Sequence, residues 1–273
     1  MPNPRLIVRV QTKNLRAEIW LNGAPVAMLL PGEADTPVGV PVNEFAVLGG
    51  NALGILLHAA PRPSAAGEPW ASDEEAASYT GPASLSVRVA QYSPSESVAA
   101  ANPSPLATLE WQGLAAPLPV MMERRFNVDF AYGPWAWQSA QRYESFDRVL
   151  RARAFDYLAY LHGLLAAGRI AEFVDINKLR LEEITRGAYG VSPQPLRRTL
   201  TQAIEQHASN EEWNLLPLEP REIDLRLVAG GRMIECLRTN RHHALEYAHN
   251  ESPATFFLPA MIGVLGDSWQ ILR

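Results

Sequence analysis

The densest group of ionisable side chains lies near the C-terminus and contains His242, His243, Glu246 and His249. Histidine and glutamate act as general acids and bases and also bind metal ions. Side chains alternate between the two faces of a strand, so His242 and Glu246 would share one face and the other two histidines the opposite face. A zinc ion needs three or four ligands at one point. One strand supplies two, so we predict no metal site and expect solvent-facing or core-bonded histidines.

Other signatures of chemistry are missing from the sequence. It contains no Gly-x-Ser-x-Gly turn for a nucleophilic serine and no glycine-rich phosphate loop that opens a helix. The single cysteine, Cys236, lies in an apolar stretch where burial raises the pKa of a thiol and makes it unreactive. We therefore assign no catalytic residue and no cofactor, and we expect the chain to act by binding.

An aromatic segment, residues 126–137, lies near the middle of the chain. One interpretation is that its large rings bury area where two domains meet. The second is a recognition surface, because tryptophan, tyrosine and arginine dominate the energetics of protein interfaces. We favour the first. The candidates under the second are Tyr132, Trp135, Trp137 and Arg142.

Charge and composition exclude several classes of protein. The 273 residues include 24 basic and 29 acidic side chains, a formal net charge of −5, which argues against nucleic acid as a partner. No apolar stretch approaches the ~20 residues needed to cross a bilayer, and the apolar N-terminal run is broken by Arg9. We predict a cytoplasmic location and no membrane partner. The scarcity of lysine beside abundant arginine and alanine resembles bacterial proteins from GC-rich genomes.

Length and proline distribution indicate two domains. Sixteen of the 22 prolines lie at or before Pro134, and proline disfavours long helices. We predict a β domain over residues 1–118, an aromatic-rich connector over 119–142 and an α+β domain over 143–273.

The first half contains short runs of branched apolar residues that predict strands. Asn22-Gly23 predicts a hairpin turn, because both central positions of that turn need positive φ. Gly49-Gly50-Asn51 predicts a second reversal. The predicted strands cover residues 6–10, 16–21, 46–48, 52–57, 85–89 and 106–111.

A resemblance accompanies this pattern. Residues 17–26, which include Trp20-Leu21-Asn22-Gly23, are followed by Val42-Asn43-Glu44-Phe45 and Leu48-Gly49-Gly50-Asn51. These segments look like the jelly-roll β-sandwich modules of bacterial glycosidases. In that family the motif packs the sandwich, so the resemblance implies the fold and does not imply sugar binding.

The second half changes to helical periodicity. We predict a helix over 143–167 with Ser145 as a possible N-cap, one or two shorter helices over 170–187, and a third that starts after Ser192. Strands follow over 223–228, 233–238, 244–249 and 269–272, together with a long strand over 256–265 that contains Pro259. Helices followed by an antiparallel meander define an α+β arrangement.

That order, with the Leu265-Gly266-Asp267-Ser268-Trp269 ending, resembles the NTF2-like (cystatin-like) superfamily. The resemblance implies helices over a curved antiparallel sheet that encloses a cone-shaped pocket. A strand between the second and third helices, usual in that family, is not evident here. NTF2-like enzymes pair a carboxylate or histidine with a tyrosine. The corresponding pocket candidates are Tyr157, Tyr160, Glu235, Glu246 and His249, unless they are the polar ends of half-buried positions.

These observations favour a non-catalytic protein-interaction module of the adaptor or immunity type, with a protein partner or a second copy of the chain as its ligand. The alternative is a small-molecule-binding protein, or an isomerase-like or hydrolase-like enzyme, that uses the C-terminal pocket. A carbohydrate-binding accessory protein is a third hypothesis.

Overall fold

The computed structural model describes residues 4–13, 15–29, 38–57, 83–93, 103–113, 119–130, 133–187, 192–239 and 242–273. The chain divides into two compact units. The first contains Met1–Trp135 and Arg186–Gly190, and the second contains Ala136–Thr185 and Val191–Arg273. The described part combines antiparallel sheets with helices, so the mixed α+β character predicted from the sequence is confirmed.

Strands dominate the first unit and form two four-stranded antiparallel sheets, ordered β4-β1-β6-β7 and β3-β2-β5-β8. Alternating residues of β1 and β6, such as Val8, Val10, Val87 and Val89, are buried, as expected for strands with one face on a core. The strands are Arg5–Lys13 (β1), Ala17–Leu21 (β2), Ala24–Leu29 (β3), Val38–Pro41 (β4), Gly49–Leu57 (β5), Ala83–Tyr92 (β6), Pro105–Gly113 (β7) and Val120–Val128 (β8).

The predicted hairpin is confirmed. Asn22 has φ 53° and Gly23 has φ 73°, and the turn joins β2 to β3. The second predicted reversal is wrong, because Gly49, Gly50 and Asn51 begin β5. Residues 46–48, predicted as a strand, form a loop after a short 3-10 helix. The Asn51 side chain holds this loop by accepting from the Val47 amide (2.9 Å) and donating to the Val47 carbonyl (2.8 Å).

Strand β8 lies inside the stretch predicted as a connector, 119–142. It pairs with β5 over nine residues, from Gly49 opposite Val128 to Leu57 opposite Val120. The central Glu123, Arg124 and Arg125 hide the strand from a search for apolar alternation. Charged side chains are common on strands at the edge of a sheet, the position that β8 occupies.

The second unit starts with helices whose positions were predicted well from the apolar periodicity of the sequence. The N-cap of the long helix is Asp147 rather than Ser145, since the Asp147 carboxylate accepts from the Leu150 amide at 2.8 Å. Ser192 caps the last helix as predicted. The described helices are Ala136–Ser139 (α1), Arg148–Ala166 (α2), Ile170–Ile176 (α3), Lys178–Gly187 (α4) and Pro193–Ala208 (α5). Within the described ranges, none of these helices has the length and apolarity needed to span a membrane.

The strands of the second unit form two antiparallel sheets, ordered β10-β11-β14-β15 and β13-β12-β9. Buried side chains of α2, such as Leu158 and Leu161, pack in one apolar cluster with strand residues such as Ile234 and Cys236. The strands are Trp213–Leu215 (β9), Ile223–Val228 (β10), Met233–Arg238 (β11), Leu245–His249 (β12), Thr255–Leu258 (β13), Met261–Leu265 (β14) and Ser268–Ile271 (β15).

The prediction of one long strand over 256–265 is wrong. The chain leaves strand conformation at Pro259 and Ala260, so that β13 and β14 belong to different sheets. Proline lacks an amide donor and ends sheet pairing at its position.

Candidate functional site

A groove of about 630 Å³ opens in the second unit, within the size range of ligand-binding sites in proteins. Helices α2, α3 and α4 and the edge strand β15 supply its walls. The lining residues are Tyr157, Tyr160, Asp175, Ile176, Lys178, Leu179, Glu182, Trp269 and Gln270.

Three rings of this lining are neighbours, and we call Tyr157, Tyr160 and Trp269 the aromatic platform. The Tyr157 ring lies between the other two, with its centroid 6.2 Å from that of Tyr160 and 5.9 Å from that of Trp269. The Tyr157 and Trp269 planes differ by 24°, a stacked arrangement. Tyr160 is 49% exposed, and the other two are partly exposed. The platform therefore presents aromatic surface to whatever enters the groove.

Local sequence explains how the platform forms. Tyr157 and Tyr160 are three residues apart on α2, a spacing that places side chains on neighbouring positions of a helix surface. Leu158 and Leu161, which are buried, hold the adjacent face of α2 in the apolar core. Trp269 follows the turn at Gly266, whose φ of 59° suits glycine, and lies in β15 paired with Val264.

Charged groups complete the groove. Asp175, Lys178, Leu179 and Glu182 follow one another at steps of three, one and three residues across the α3–α4 junction. The Lys178 ammonium lies 3.9 Å from a Glu182 carboxylate oxygen, and Asp175 pairs with Arg197 of α5. These side chains are substantially exposed, so each ion pair contributes little and can exchange for another partner.

The groove has the chemistry of a binding site. Burial, and then the neighbouring Tyr160, raise the pKa of Tyr157, so its phenol keeps its proton to higher pH than an ordinary tyrosine does. The described lining includes neither histidine nor cysteine.

The structure does not bring the five pocket candidates together, since Tyr157 and Tyr160 line the groove and the other three lie elsewhere. Glu235 is buried on β11 and pairs with Arg226, directly opposite on β10. Glu246 is buried on β12, with one oxygen 2.8 Å from the His242 ring nitrogen and the other 3.8 Å from the Arg238 guanidinium.

His249, the fifth candidate, lies near the end of β12. Its ring nitrogen is 3.5 Å from a Glu212 carboxylate oxygen, and its other nitrogen accepts from the Glu251 amide. Its ring also makes an edge contact with Trp213, with centroids 5.3 Å apart. Each of the three residues outside the groove therefore has at least one polar atom paired with a neighbouring protein group.

Of the four interaction candidates, Tyr132 lies outside the described residues. Trp135 is 1% exposed in the first unit, where its indole donates to the Ala46 carbonyl at 2.7 Å. Trp137 is buried in the second unit. Arg142 is exposed and donates to the Gly230 carbonyl at 3.1 Å. Both tryptophans therefore serve as packing residues of their own units.

Sequence reasoning missed most of the groove. Asp175, Lys178, Leu179 and Glu182 have the spacing of one helical face, which was a usable signal. Trp269 is the last residue of the C-terminal segment on which the NTF2-like resemblance was based. No local signal in the sequence indicated that β15 lies beside α2 and α3, because these segments are about a hundred residues apart in the chain.

In the part of the chain that the structure describes, no three His, Cys, Asp or Glu side chains are placed to hold a metal ion. Burial raises the pKa of the Cys236 thiol, as predicted, and Glu235 adds to the effect.

The burial of His243 near the β12–β13 pair can be tested through its pKa. Burial, then the charges of Arg180 and His242, lower its pKa from 6.5 to about 4, and its ring stacks on Phe257 at 4.6 Å. The folded state therefore favours neutral His243 over the protonated form. Its contribution to stability is complete above pH 6.5 and is lost as the pH falls towards 4.

We expect wild type to lose about 3 kcal/mol of unfolding free energy across that window relative to His243→Gln. Urea denaturation of both proteins at several pH values between 4 and 7 measures the difference. Parallel pH profiles for the two proteins would show that His243 is not held neutral by the fold.

Comparison of the chain with models of known protein families, with curated proteins and with solved structures finds no match.

Proposed function

We propose that this chain is a non-catalytic binding protein that recognises a protein partner through the groove of its second unit. The observation that carries the proposal is the aromatic platform. Tyrosine and tryptophan dominate the energetics of protein interfaces because they bury large areas with few rotatable bonds. Three such rings in contact, partly exposed in one groove, are suited to contacts of this kind.

The placement of the ionisable candidates supports binding over catalysis. Glu235, Glu246 and His249 are engaged by Arg226, His242 and Glu212, respectively. A catalytic acid or base must instead reach the substrate. The groove volume also suits a small molecule, so the alternative of a small-molecule-binding protein is an outcome of the test below.

We propose the finer architecture as well. The two four-stranded sheets of the first unit support a jelly-roll-like sandwich that extends past the predicted boundary at residue 118 and includes β8, which ends at Val128. Helices followed by antiparallel strands support an NTF2-like domain over 143–273. The cytoplasmic location and the absence of nucleic acid partners stay predictions from composition.

A capture experiment with matched variants tests the proposed function. The purified full chain, Tyr160→Ala and Phe257→Ala are immobilised and exposed to lysate of the source cells, and bound proteins are quantified by mass spectrometry. Phe257 is a matched control because it is an aromatic residue of the same unit, 48% exposed, that does not line the groove. We expect one protein to bind wild type and the control, and to be depleted about tenfold with Tyr160→Ala.

Purified partner then confirms the result by titration calorimetry. Equal capture by Tyr160→Ala and Phe257→Ala would place the interface outside the groove. Capture of no protein above a blank resin, together with a small molecule retained by the chain, would replace the proposal with the small-molecule alternative.

A further inference from the structure

We infer that the groove recognises an arginine side chain presented by the partner, with the guanidinium on the aromatic platform and the acidic side chains at its rim. This inference rests on the proposed function and specifies the chemistry of the ligand. It is carried by two features of one groove, the three neighbouring rings and two exposed carboxylates in the same lining.

The platform supplies the first half of the recognition. The face of an aromatic ring carries partial negative charge and attracts a cation placed over it. The Tyr157 ring neighbours both Trp269 and Tyr160, and all three rings are partly exposed, so an incoming cation can contact aromatic surface on more than one of them. A planar guanidinium matches a flat face better than a spherical ammonium does. The second unit already contains such a contact, since the Arg151 guanidinium lies 4.6 Å from the centre of the Phe146 ring.

The charged side chains at the rim of the groove supply the second half of the recognition. Asp175 and Glu182 contribute two exposed carboxylates to the lining, and these are paired with Arg197 and Lys178. A guanidinium donates hydrogen bonds in a fixed fork that suits carboxylates. Exchanging the exposed partners of Asp175 and Glu182 for an incoming arginine costs little, because exposed ion pairs are weak. The whole chain, at a formal charge of −5, also attracts a cationic partner.

Removal of the Lys178 charge should change the affinity for arginine in a direction that can be measured. Its ammonium competes with an incoming arginine for Glu182 and repels it. Removing this charge with Lys178→Gln should therefore strengthen the binding of a cation and weaken the binding of an anion. Lys13, the one other lysine of the chain, lies in the first unit and makes a matched control for the change in net charge.

The test uses three pentapeptides, acetylated and amidated, with glycine and serine around a central arginine, lysine or citrulline. Citrulline has nearly the shape of arginine without its charge. Binding is followed by NMR through the indole N–H signal of Trp269, which the Trp269→Phe variant identifies among the seven tryptophans. Titration of the full chain to about 10 mM peptide detects dissociation constants of roughly 10 mM or below.

We expect the arginine peptide to bind at least about threefold more tightly than the citrulline peptide, with lysine between them. Lys178→Gln should tighten arginine binding about twofold to fivefold, Glu182→Gln should weaken it by a similar factor, and Lys13→Gln should leave it unchanged. Citrulline binding as tightly as arginine, weaker binding by Lys178→Gln, or no movement of the Trp269 signal would each overturn the inference.

The two proposals fail in different ways. If Tyr160→Ala loses the protein partner but the peptides show no preference for arginine, the groove binds its partner by other chemistry and only the inference fails. If the arginine peptide binds as expected but capture yields no partner that depends on Tyr160, the cation site stands and the proposed function fails.

Discussion

Replacing Glu183 with alanine is expected to lower the free energy of unfolding of the second unit by about 3–5 kcal/mol. The reason is that Glu183, 2% exposed, is the ion-pair partner of Arg273, 4% exposed. The substitution leaves a buried guanidinium without this carboxylate, and removing one partner of a buried ion pair typically costs several kcal/mol. Urea denaturation, followed through the transition that reports on the second unit, measures the loss.

The contacts of Glu183 make the expected effect larger than for an ordinary pair. One carboxylate oxygen accepts from the Arg273 guanidinium at 2.5 Å, and the other accepts from the Ala136 amide at 2.5 Å. The residue thus joins α4 to the end of the chain and to the start of α1. Hydrogen bonds to charged groups contribute about 1.5–3 kcal/mol each, roughly twice the value for neutral pairs.

Glu182 is the matched control, because it is the adjacent glutamate and its side chain is 44% exposed. We expect Glu182→Ala to change the free energy of unfolding by no more than about 0.5 kcal/mol. The double variant Glu183→Met with Arg273→Met should recover much of the loss, since apolar residues of similar volume often replace a buried ion pair without cost. Equal effects of Glu183→Ala and Glu182→Ala would contradict the assignment of a buried pair.

The local elements of this fold could be predicted because their signals are contained in a few residues. Asn22-Gly23 predicted a hairpin, and the apolar spacing on α2 and the Ser192 cap of α5 predicted helices. Strand β8 could not be predicted in this way, because its charged centre is explained by its position at the edge of a sheet, which the sequence alone does not reveal.

The candidate site was only partly predictable for a related reason. Tyr157 and Tyr160 were expected from a resemblance, and they do line the groove. Glu235 and Glu246 had the residue type expected of acid–base groups. The pairing of Glu235 with Arg226 depends on strand register, whereas the spacing of His242 and Glu246 already placed these two residues on one face. Counterions that lie close in space determine whether a carboxylate is available for chemistry, and periodicity contains little information about them.

Gly231→Ala should be among the most destabilising single substitutions in the second unit, at about 3–5 kcal/mol. A Cβ atom added at this position would lie 2.0 Å from the carbonyl oxygen of Tyr143 and 3.1 Å from the carbonyl carbon. Both atoms belong to the backbone, so relief requires moving the chain and not merely rotating a side chain. The Tyr143 amide also donates to the Gly231 carbonyl at 2.9 Å, and that hydrogen bond resists the displacement.

The backbone of Gly231 adds a second cost. Its φ of 83° belongs to a region that L-residues with a Cβ disfavour by roughly 1–2 kcal/mol. The remaining loss comes from overpacking, which typically costs about 1–3 kcal/mol and more where no atom can yield. Thermal and urea denaturation of the variant measure the sum of the two terms.

Gly230 separates these two terms, because it has a φ of 63° but no described atom within 4 Å of the position that an added methyl group would take. Gly230→Ala therefore carries the backbone cost alone, and the reduced entropy of its unfolded chain offsets part of that cost. We expect a loss of at most about 1 kcal/mol, in keeping with Ala229, which already adopts a φ of 52°. If both variants lost the same small amount of stability, the close approach of residue 143 to the β10–β11 turn would be refuted, and with it the anchoring of the segment that leads into α2.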